Sequence, residues 1–431
     1  MTTRDDCRRR DAADPLAPLR ELFDLPDGVI YLDGNSLGAL PKATAVRVRN
    51  VIEGEWGAQQ IRAWNSADWI DLPQRVGDKI ARLVGAGAGE LVVTDGTSVN
   101  VFKALSAALA LVRADAGSNA TSRRVILSER GNFPTDLYIA ESVARERGCE
   151  LCVVDAADIA KHLTDDVAVL LLTHVNYRDG CMHDMATINR AAHAAGALVV
   201  WDLAHSAGAV PVDLTAGNTA AAADFAVGCG YKFLNGGPGA PAFLWAHPKH
   251  TARMDALQMG QPLSGWFGHA APFEFTTDFR PAKGIARFQC GTPPILSLAA
   301  LECGVDTLLA ADALGGIPAL RDKAQALIDL FIELVEQRCG GDGLVLRTPR
   351  AAKLRGSQVS LARDEGAYAI MQALIARNVI GDFRAPDVLR FGVTPLYTRY
   401  VDIWDAVAAL REVMASGEWR DARFNRRATV T

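Results

Sequence analysis

GCGYKFLNGGPGAP, residues 228–241, sets one lysine, Lys232, between an apolar run (Ala223 to Gly228) and a glycine-rich turn. Most lysines are solvated surface charges, but Gly228, Cys229, Gly230, Tyr231 and Phe233 are not surface company. A lysine among aromatics and glycines loses part of its preference for the charged form. Thirty residues upstream, a second apolar run, GALVVWDLAHSAG (196–208), ends in Asp202, with His205 three positions later. An amine and a carboxylate at the ends of two neighbouring strands suit a cofactor that is both an aldehyde and a pyridine. Pyridoxal phosphate (PLP) is that cofactor: lysine forms the Schiff base, and a buried carboxylate keeps the ring nitrogen protonated.

Working outward, short apolar runs alternate with helical patterns. Leu91 to Thr94, Arg123 to Leu127, Val167 to Thr173, Ala197 to Asp202, Ala223 to Gly228 and Ala242 to Trp245 read as strands. Helices are expected at Lys42 to Gln60, Leu72 to Leu83, Thr97 to Arg113, Asp136 to Arg147 and Met185 to Ala195. That alternation implies a mostly parallel sheet covered on both faces, with its site at the carboxyl ends of the strands. Beyond residue 310 the pattern changes to a long amphipathic helix (Leu320 to Arg338), short strands near Gln358 to Leu361 and Leu389 to Val393, and helices at Ala367 to Arg377 and Tyr400 to Met414. The expected organisation is an N-terminal arm and helix (1–60), a large PLP-binding domain (61–310) and a small α+β C-terminal domain (311–431). The arm is expected to join the small domain in space. A polar loop covers Gly117 to Ser122.

At 431 residues the chain exceeds what one core supports, in agreement with two packed bodies. A net charge of −5 argues against nucleic acid as the main partner. No apolar run reaches the roughly 18–20 residues that span a bilayer, and MTTRDDCRRRDAADP has no apolar signal core. The expected compartment is the cytoplasm. Cys149 and Cys152 form a lone CxxC without two further ligands, so no metal is expected and both read as buried thiols. His247 and His250, flanking Pro248, read as surface residues of a turn.

Other groups complete a cofactor shell. TDGTSVN puts Gly96, Thr97 and Ser98 between a strand and a long helix, where free amides, hydroxyls and the helix dipole favour an anion; a simple N-cap uses the same residues. GNFPTD offers Phe133 to stack on a pyridine and Asp136 to accept from a hydroxyl, although Pro134 also suits a helix start. Asp202 could instead cap a following helix. GAGAGE (85–90) follows a helix, not a strand, and is read as a helix C-terminal loop. GGPGAP lacks the Lys-Ser/Thr pair of a nucleotide loop.

Taken with YLDGNSLG (31–38), NFPTD, WDLAHSAG, GWFGH (265–269), GTPPI (291–295) and RFGVTPLY (390–397), these motifs resemble the fold-type-I PLP enzymes of the aspartate aminotransferase superfamily, and within them the kynureninases. The resemblance implies an α/β PLP-dependent transferase fold, its large domain built on a seven-stranded-type, mostly parallel sheet. It makes Lys232 the Schiff-base lysine, Asp202 the ring-nitrogen partner and Tyr231 an acid–base group. Thr97, Ser98, Phe133, Pro134, Thr135, Asp136, Thr173, His205 and Tyr231 would complete the cofactor shell. Trp266 and Thr292 would reach the phosphate of the other subunit, implying a homodimer with shared sites. Arg390 would hold the substrate α-carboxylate, and Ser36, Trp64, Gly291 and Thr292 would meet the rest of the substrate. The implied reaction is hydrolysis of L-kynurenine to anthranilate and L-alanine, in tryptophan and kynurenine breakdown. Trp64, Gly291 and Thr292 resemble the bacterial, kynurenine-preferring arrangement; relatives preferring 3-hydroxykynurenine carry His, then Ser-Asn. A cysteine desulfurase or selenocysteine lyase shares the lysine-GPG neighbourhood but usually has His where Phe133 and Tyr231 stand. A non-catalytic PLP-fold regulator would tend to lose the lysine or gain a DNA-binding segment, and neither has happened.

Overall fold

The computed structural model describes residues 2–116 and 123–427; the polar loop expected at Gly117 to Ser122 lies outside the described residues. Seven strands form the main sheet: β1 (Leu91–Val93), β2 (Val125–Glu129), β3 (Glu150–Val154), β4 (Val167–Thr173), β5 (Leu198–Asp202), β6 (Phe225–Gly228) and β7 (Phe243–Ala246). Their order is β1-β7-β6-β5-β4-β2-β3. The pairs from β3 to β6 are parallel, and β7 runs antiparallel to both β6 and β1. All seven residues of β4 are buried, as expected of a central parallel strand covered on both sides. Alternation decides which face each serves. Leu170 and Leu172 enter one core with Trp201 and Phe243, while Val169 and Leu171 enter the other with Val200 and Leu244.

The helices Leu72–Leu83 and Ile295–Leu309 lie on the first face; Thr97–Ala116 and Pro134–Arg147 lie on the second. Thr97–Asp115 corrects one expectation, because by length and composition it is apolar enough to cross a membrane. More than half of it is buried inside the protein, and Lys103 in its middle is fully buried and ion-paired to Asp95. A core helix of an α/β protein needs the same composition.

A second sheet combines β8 (Val345–Leu346), β9 (Gln358–Ala362), β10 (Asp382–Arg384) and β11 (Val388–Gly392), antiparallel in the order β8-β9-β11-β10. It packs with the helices Gly316–Arg338, Ala367–Ala376 and Tyr400–Ser416 around a separate core. The arm joins this body, as the sequence suggested. Ile30–Tyr31 pairs in parallel with Val379–Ile380, and Asp33 bridges Gly392. A helix the sequence reading missed, Arg4–Ala12, packs on Tyr400–Ser416. Its Arg4 pairs with Asp405, and Asp11 caps the amides of Tyr400 and Val401. Its charged surface hid it, since only Cys7 is buried.

Three local expectations are corrected. The helix from Lys42 ends at Asn50 and widens into a π-type turn over Val51–Gly57, where Glu55 is held by Arg47, Asn50 and the Trp69 indole. Cys149 and Cys152 are half-buried, free thiols, with Cys152 in the edge strand β3. His247 and His250 are buried: His250 Nε2 lies 2.7 Å from Asp224 and its ring stacks on Phe225, while His247 Nδ1 caps the helix Pro248–Ala256. A local turn pattern cannot reveal that a buried carboxylate needs partners.

Candidate active site

Ten of the expected residues meet in one cavity of about 250 Å³: Thr97, Ser98, Phe133, Thr135, Asp136, Thr173, Asp202, His205, Tyr231 and Lys232. The cavity opens at the carboxyl ends of β4, β5 and β6, where strand ends expose functional groups. Lys232 Nζ lies 2.9 Å from His205 Nε2 and 5.9 Å from the Phe133 ring centre. His205 is buried; desolvation first, then the charges of Lys232, Arg390 and Arg384, push its pKa well below the usual range. The ring is therefore neutral and has a lone pair available to the lysine. Asp202 Oδ1 accepts from the Ala204 amide at 2.8 Å. Burial pushes the Asp202 carboxyl up, and pushes Asp136 well up with the help of the Asp202 charge.

PLP fits these groups. Asp136 Oδ2 and His205 Nδ1 are buried without a hydrogen-bond partner, as groups that meet a ligand would be. Two desolvated carboxyls beside one lysine call for a cationic ring nitrogen and a donor hydroxyl. Phe133 is exposed and lines the cavity, T-shaped to Tyr177 at 5.3 Å, with Lys232 Nζ over its ring, so the ring is placed for stacking. The first amides of the helix Thr97–Ala116 have no partner within the helix, which suits a phosphate. That loop is braced from behind: Lys103 donates to Asp95 and to the Phe288 carbonyl, and Asn100 donates to the Thr94 carbonyl.

The remaining expected residues lie outside this cavity. Pro134 opens the helix Pro134–Arg147 and does not line it. Gly291 and Thr292 line an adjoining cavity of about 620 Å³ that also touches Gly96 and Tyr231, so Tyr231 stands between the two. Trp266 packs on Phe267 and Phe273, and Trp64 packs on Trp69 and Phe267. Ser36 and Arg390 meet in a neighbouring charged cluster. Ser36 Oγ donates to Asp382 at 2.7 Å and accepts from Arg390 at 2.7 Å and Arg384 at 3.2 Å. NSLG also touches the lysine loop, since the Gly38 amide donates to the Tyr231 carbonyl at 2.8 Å.

Sequence reading missed Tyr177, Ala204, Asn132, Asp382 and Arg384. Tyr177 and Ala204 line the Lys232 cavity. Asn132 accepts from the Thr173 hydroxyl and from the Phe133 amide, fixing the stacking loop to β4. The available signals were an aromatic four residues past the end of an apolar strand, and the charges of GDFR (381–384) so close to Arg390.

A strand-end lysine facing a buried carboxylate on a mostly parallel seven-stranded sheet defines a fold-type-I PLP enzyme. Comparison with known families agrees: Aminotransferase class-V matches residues 30–353, and the Kynureninase C-terminal domain matches residues 320–410. The solved structure of a C-DES variant with glycine covalently linked to its PLP cofactor superposes with a TM-score of 0.76 at 16% identity, covering 91% of this chain and 99% of that one. A cysteine desulfurase from Thermococcus onnurineus gives a TM-score of 0.74 at 17% identity, covering 93% and 98%. Those likenesses concern the fold. Kynureninases are far more similar in sequence: those of Burkholderia pseudomallei strain K96243 and Pseudomonas fluorescens are 54% and 52% identical over 434 residues, covering all of both chains in each case. The chain belongs to the kynureninase family, and its cofactor is pyridoxal phosphate.

Proposed function

We propose that this enzyme hydrolyses L-kynurenine to anthranilate and L-alanine by cleaving the Cβ–Cγ bond. The observation that carries the reading is Lys232 facing neutral His205 in a buried cavity with Asp202, in a chain at least half identical to kynureninases over its whole length. Bound there, PLP supplies an electron sink for the carbon next to the substrate amine. Lys232 Nζ takes and returns the α-proton, positioned by His205 Nε2. Asp202 would hold the ring nitrogen and Asp136 the ring hydroxyl. Phe133 would cover one ring face, and Thr97 and Ser98 would hold the phosphate. Tyr231, half-buried and raised in pKa by its burial, stays protonated and serves as the acid beside the lysine. Water adds to the γ-carbonyl near Ser36, and a proton is delivered to Cβ as the bond breaks. Arg390 acts at the α-carboxylate.

The assembly we propose is a homodimer. Val46, Trp56, Ile61, Phe273 and Phe275 are apolar and exposed, with Ile61 at 76% and Phe275 at 79%. An apolar groove is lined by Val51, Trp56, Trp69 and the Pro294–Ser297 segment. It adjoins the loop holding Gly291 and Thr292, which supports completion of the site by a second copy. Trp64, Gly291 and Thr292 favour kynurenine over 3-hydroxykynurenine. All eight cysteines are free, which supports a cytoplasmic location.

The test is turnover of both substrates by purified holoenzyme, followed by anthranilate fluorescence. Kynurenine is expected to react with the higher kcat/KM; equal or faster reaction of 3-hydroxykynurenine would defeat the preference. Lys232→Ala is expected to abolish turnover and to change the visible absorbance of the bound cofactor. Full activity in that variant would overturn the role given to Lys232.

A further inference from the structure

Lys103 sits within the helix Thr97–Ala116 with its side chain 0% exposed, and its ammonium donates to Asp95 and to the Phe288 carbonyl. A lysine buried in an apolar core is costly to keep charged unless it is paired. Its partner is an unusual residue. Asp95 is 31% exposed and stands at a φ of +46°, a left-handed conformation that Asp and Asn accept better than most side chains. The Thr94 hydroxyl donates to its carboxylate, the Ala242 amide to its carbonyl, and Asn100 Nδ2 to the Thr94 carbonyl, each at 2.8 Å. The turn is thus held in a strained shape from several sides, as happens where a site needs its backbone aimed.

Two observations connect this turn to the cofactor phosphate. Asp95 immediately precedes Gly96, Thr97 and Ser98, and a Cβ built on Gly96 would meet no atom within 4 Å, so the turn is open on that side. The second observation is charge. The two cavities joined at Tyr231 are lined by three acids, Asp95, Asp136 and Asp202, and by one lysine, Lys232, whose nitrogen is the one that bonds the cofactor aldehyde. Among the described residues no arginine lines either cavity. A phosphate at Thr97 and Ser98 would therefore have an acid two residues away, and the cation paired with that acid is Lys103. The same ammonium grips Phe288, from which the chain runs on to Gln289, Gly291 and Thr292 on the wall of the larger cavity.

We propose that Lys103 is a positioning residue for the cofactor phosphate: it cancels the charge of Asp95 and fixes the strained turn, so that the Gly96–Ser98 amides and hydroxyls meet an anion without an opposing acid. Fully buried, it acts through Asp95. The inference rests on the reading that Thr97 and Ser98 hold the phosphate, and it extends the site to a residue deep in the helix.

The test titrates the full-length apoenzyme and its variants with PLP and with pyridoxal, which forms the same Schiff base but lacks the phosphate; binding is read from the visible absorbance. Lys103→Met, close in volume, leaves the Asp95 charge uncompensated and should raise the PLP dissociation constant by about tenfold or more, while that for pyridoxal stays within about twofold. Adding Asp95→Asn removes that charge and keeps a residue suited to the left-handed turn, so the double variant should return to within about threefold of the unsubstituted enzyme. Should Lys103→Met fail to fold, Lys103→Gln, which keeps a donor for both oxygens, reads the same loss of charge. Unchanged PLP affinity, equal weakening of both ligands, or a double variant as weak as the single one would each overturn the proposal. Thr97→Val combined with Ser98→Ala checks the reading beneath it: PLP should weaken more than pyridoxal, and no change would show that the phosphate lies elsewhere, whatever Lys103 does.

Discussion

Asp33 illustrates how a single group can tune the site from behind it. It is half-buried, and the charges that reach it are those of Asp382, Arg390 and Arg384, with the Ser36 hydroxyl as a hydrogen-bond partner, while the Tyr31 and Tyr397 phenols lie near enough to feel its charge in turn. Burial and Asp382 raise it to about 7. Below that pH Asp33 is neutral and the cluster carries a positive charge; above it, the new negative charge opposes an arriving carboxylate. KM for kynurenine is therefore expected to rise with pH through about 7, and Asp33→Asn should flatten that rise. A pH profile of KM in both enzymes checks it. Much of this residue-level picture was legible in the sequence: Lys232, Asp202, His205 and the TDGTSVN and GNFPTD loops all converge. Asp33, Asp382 and Arg384 were not, because their meaning comes from charge pairing between segments about 350 residues apart.

At the scale of elements, close approach and buried charge hold the strands in register with the site. Gly38 rests against the lysine loop so tightly that an added Cβ would lie 2.5 Å from the Lys232 carbonyl and 2.6 Å from Asn235 Cα. Both obstacles are backbone, so the loop must move. Gly38→Ala is expected to cost about 1–3 kcal/mol by overpacking and to lower kcat by about tenfold or more, since small misplacements cost up to about a hundredfold. Circular dichroism should be unchanged; unaltered kcat would refute the contact. At the opposite end of the sheet, Asp224 accepts from His193, His250, Lys249 and the Val199 amide. Its pKa is held far below the usual range mainly by the two histidine hydrogen bonds, against the effect of its burial, and His193 is raised by Asp224. The Asp224 contribution is present above about pH 4 and lost as pH falls through its folded value. The His193 contribution is complete below about pH 6.5 and lost as pH rises through its own raised value. Asp224→Asn should destabilise by on the order of 3–5 kcal/mol, more at pH 6 than at pH 9, as urea midpoints at the two pH values would show. Equal losses at both would exclude the His193 linkage. The strands themselves were readable because apolar runs bounded by glycine announce them. The helix Arg4–Ala12 was not, because its stability comes from the partner helix and not from an apolar stripe.

For the whole molecule, the two cavities joined at Tyr231 are the telling arrangement: one holds the cofactor groups, and the other presents Gly291 and Thr292. If two copies complete one another's sites, inactive Lys232→Ala subunits mixed with subunits inactivated at Trp266 and Thr292 should regain activity. The expected yield is up to about one good site per mixed dimer, by the symmetry of a two-fold interface. No recovery, with mixed dimers verified by mass, would refute shared sites.

The strap from Ile30 to Gly38 has a consequence for how the enzyme comes into being. It lies on Val379–Ile380, bridges Gly392 and then reaches Tyr231. A segment made early thus docks on one made about 350 residues later. At roughly 5–20 residues per second, tens of seconds separate the two. During that interval the lysine loop lacks one of its walls and the first helix lacks its partner. The newborn chain therefore completes its pocket only after the segment from Val379 to Gly392 has emerged, and a chain released before Tyr400–Ser416 is made should bind cofactor poorly, however complete its main sheet.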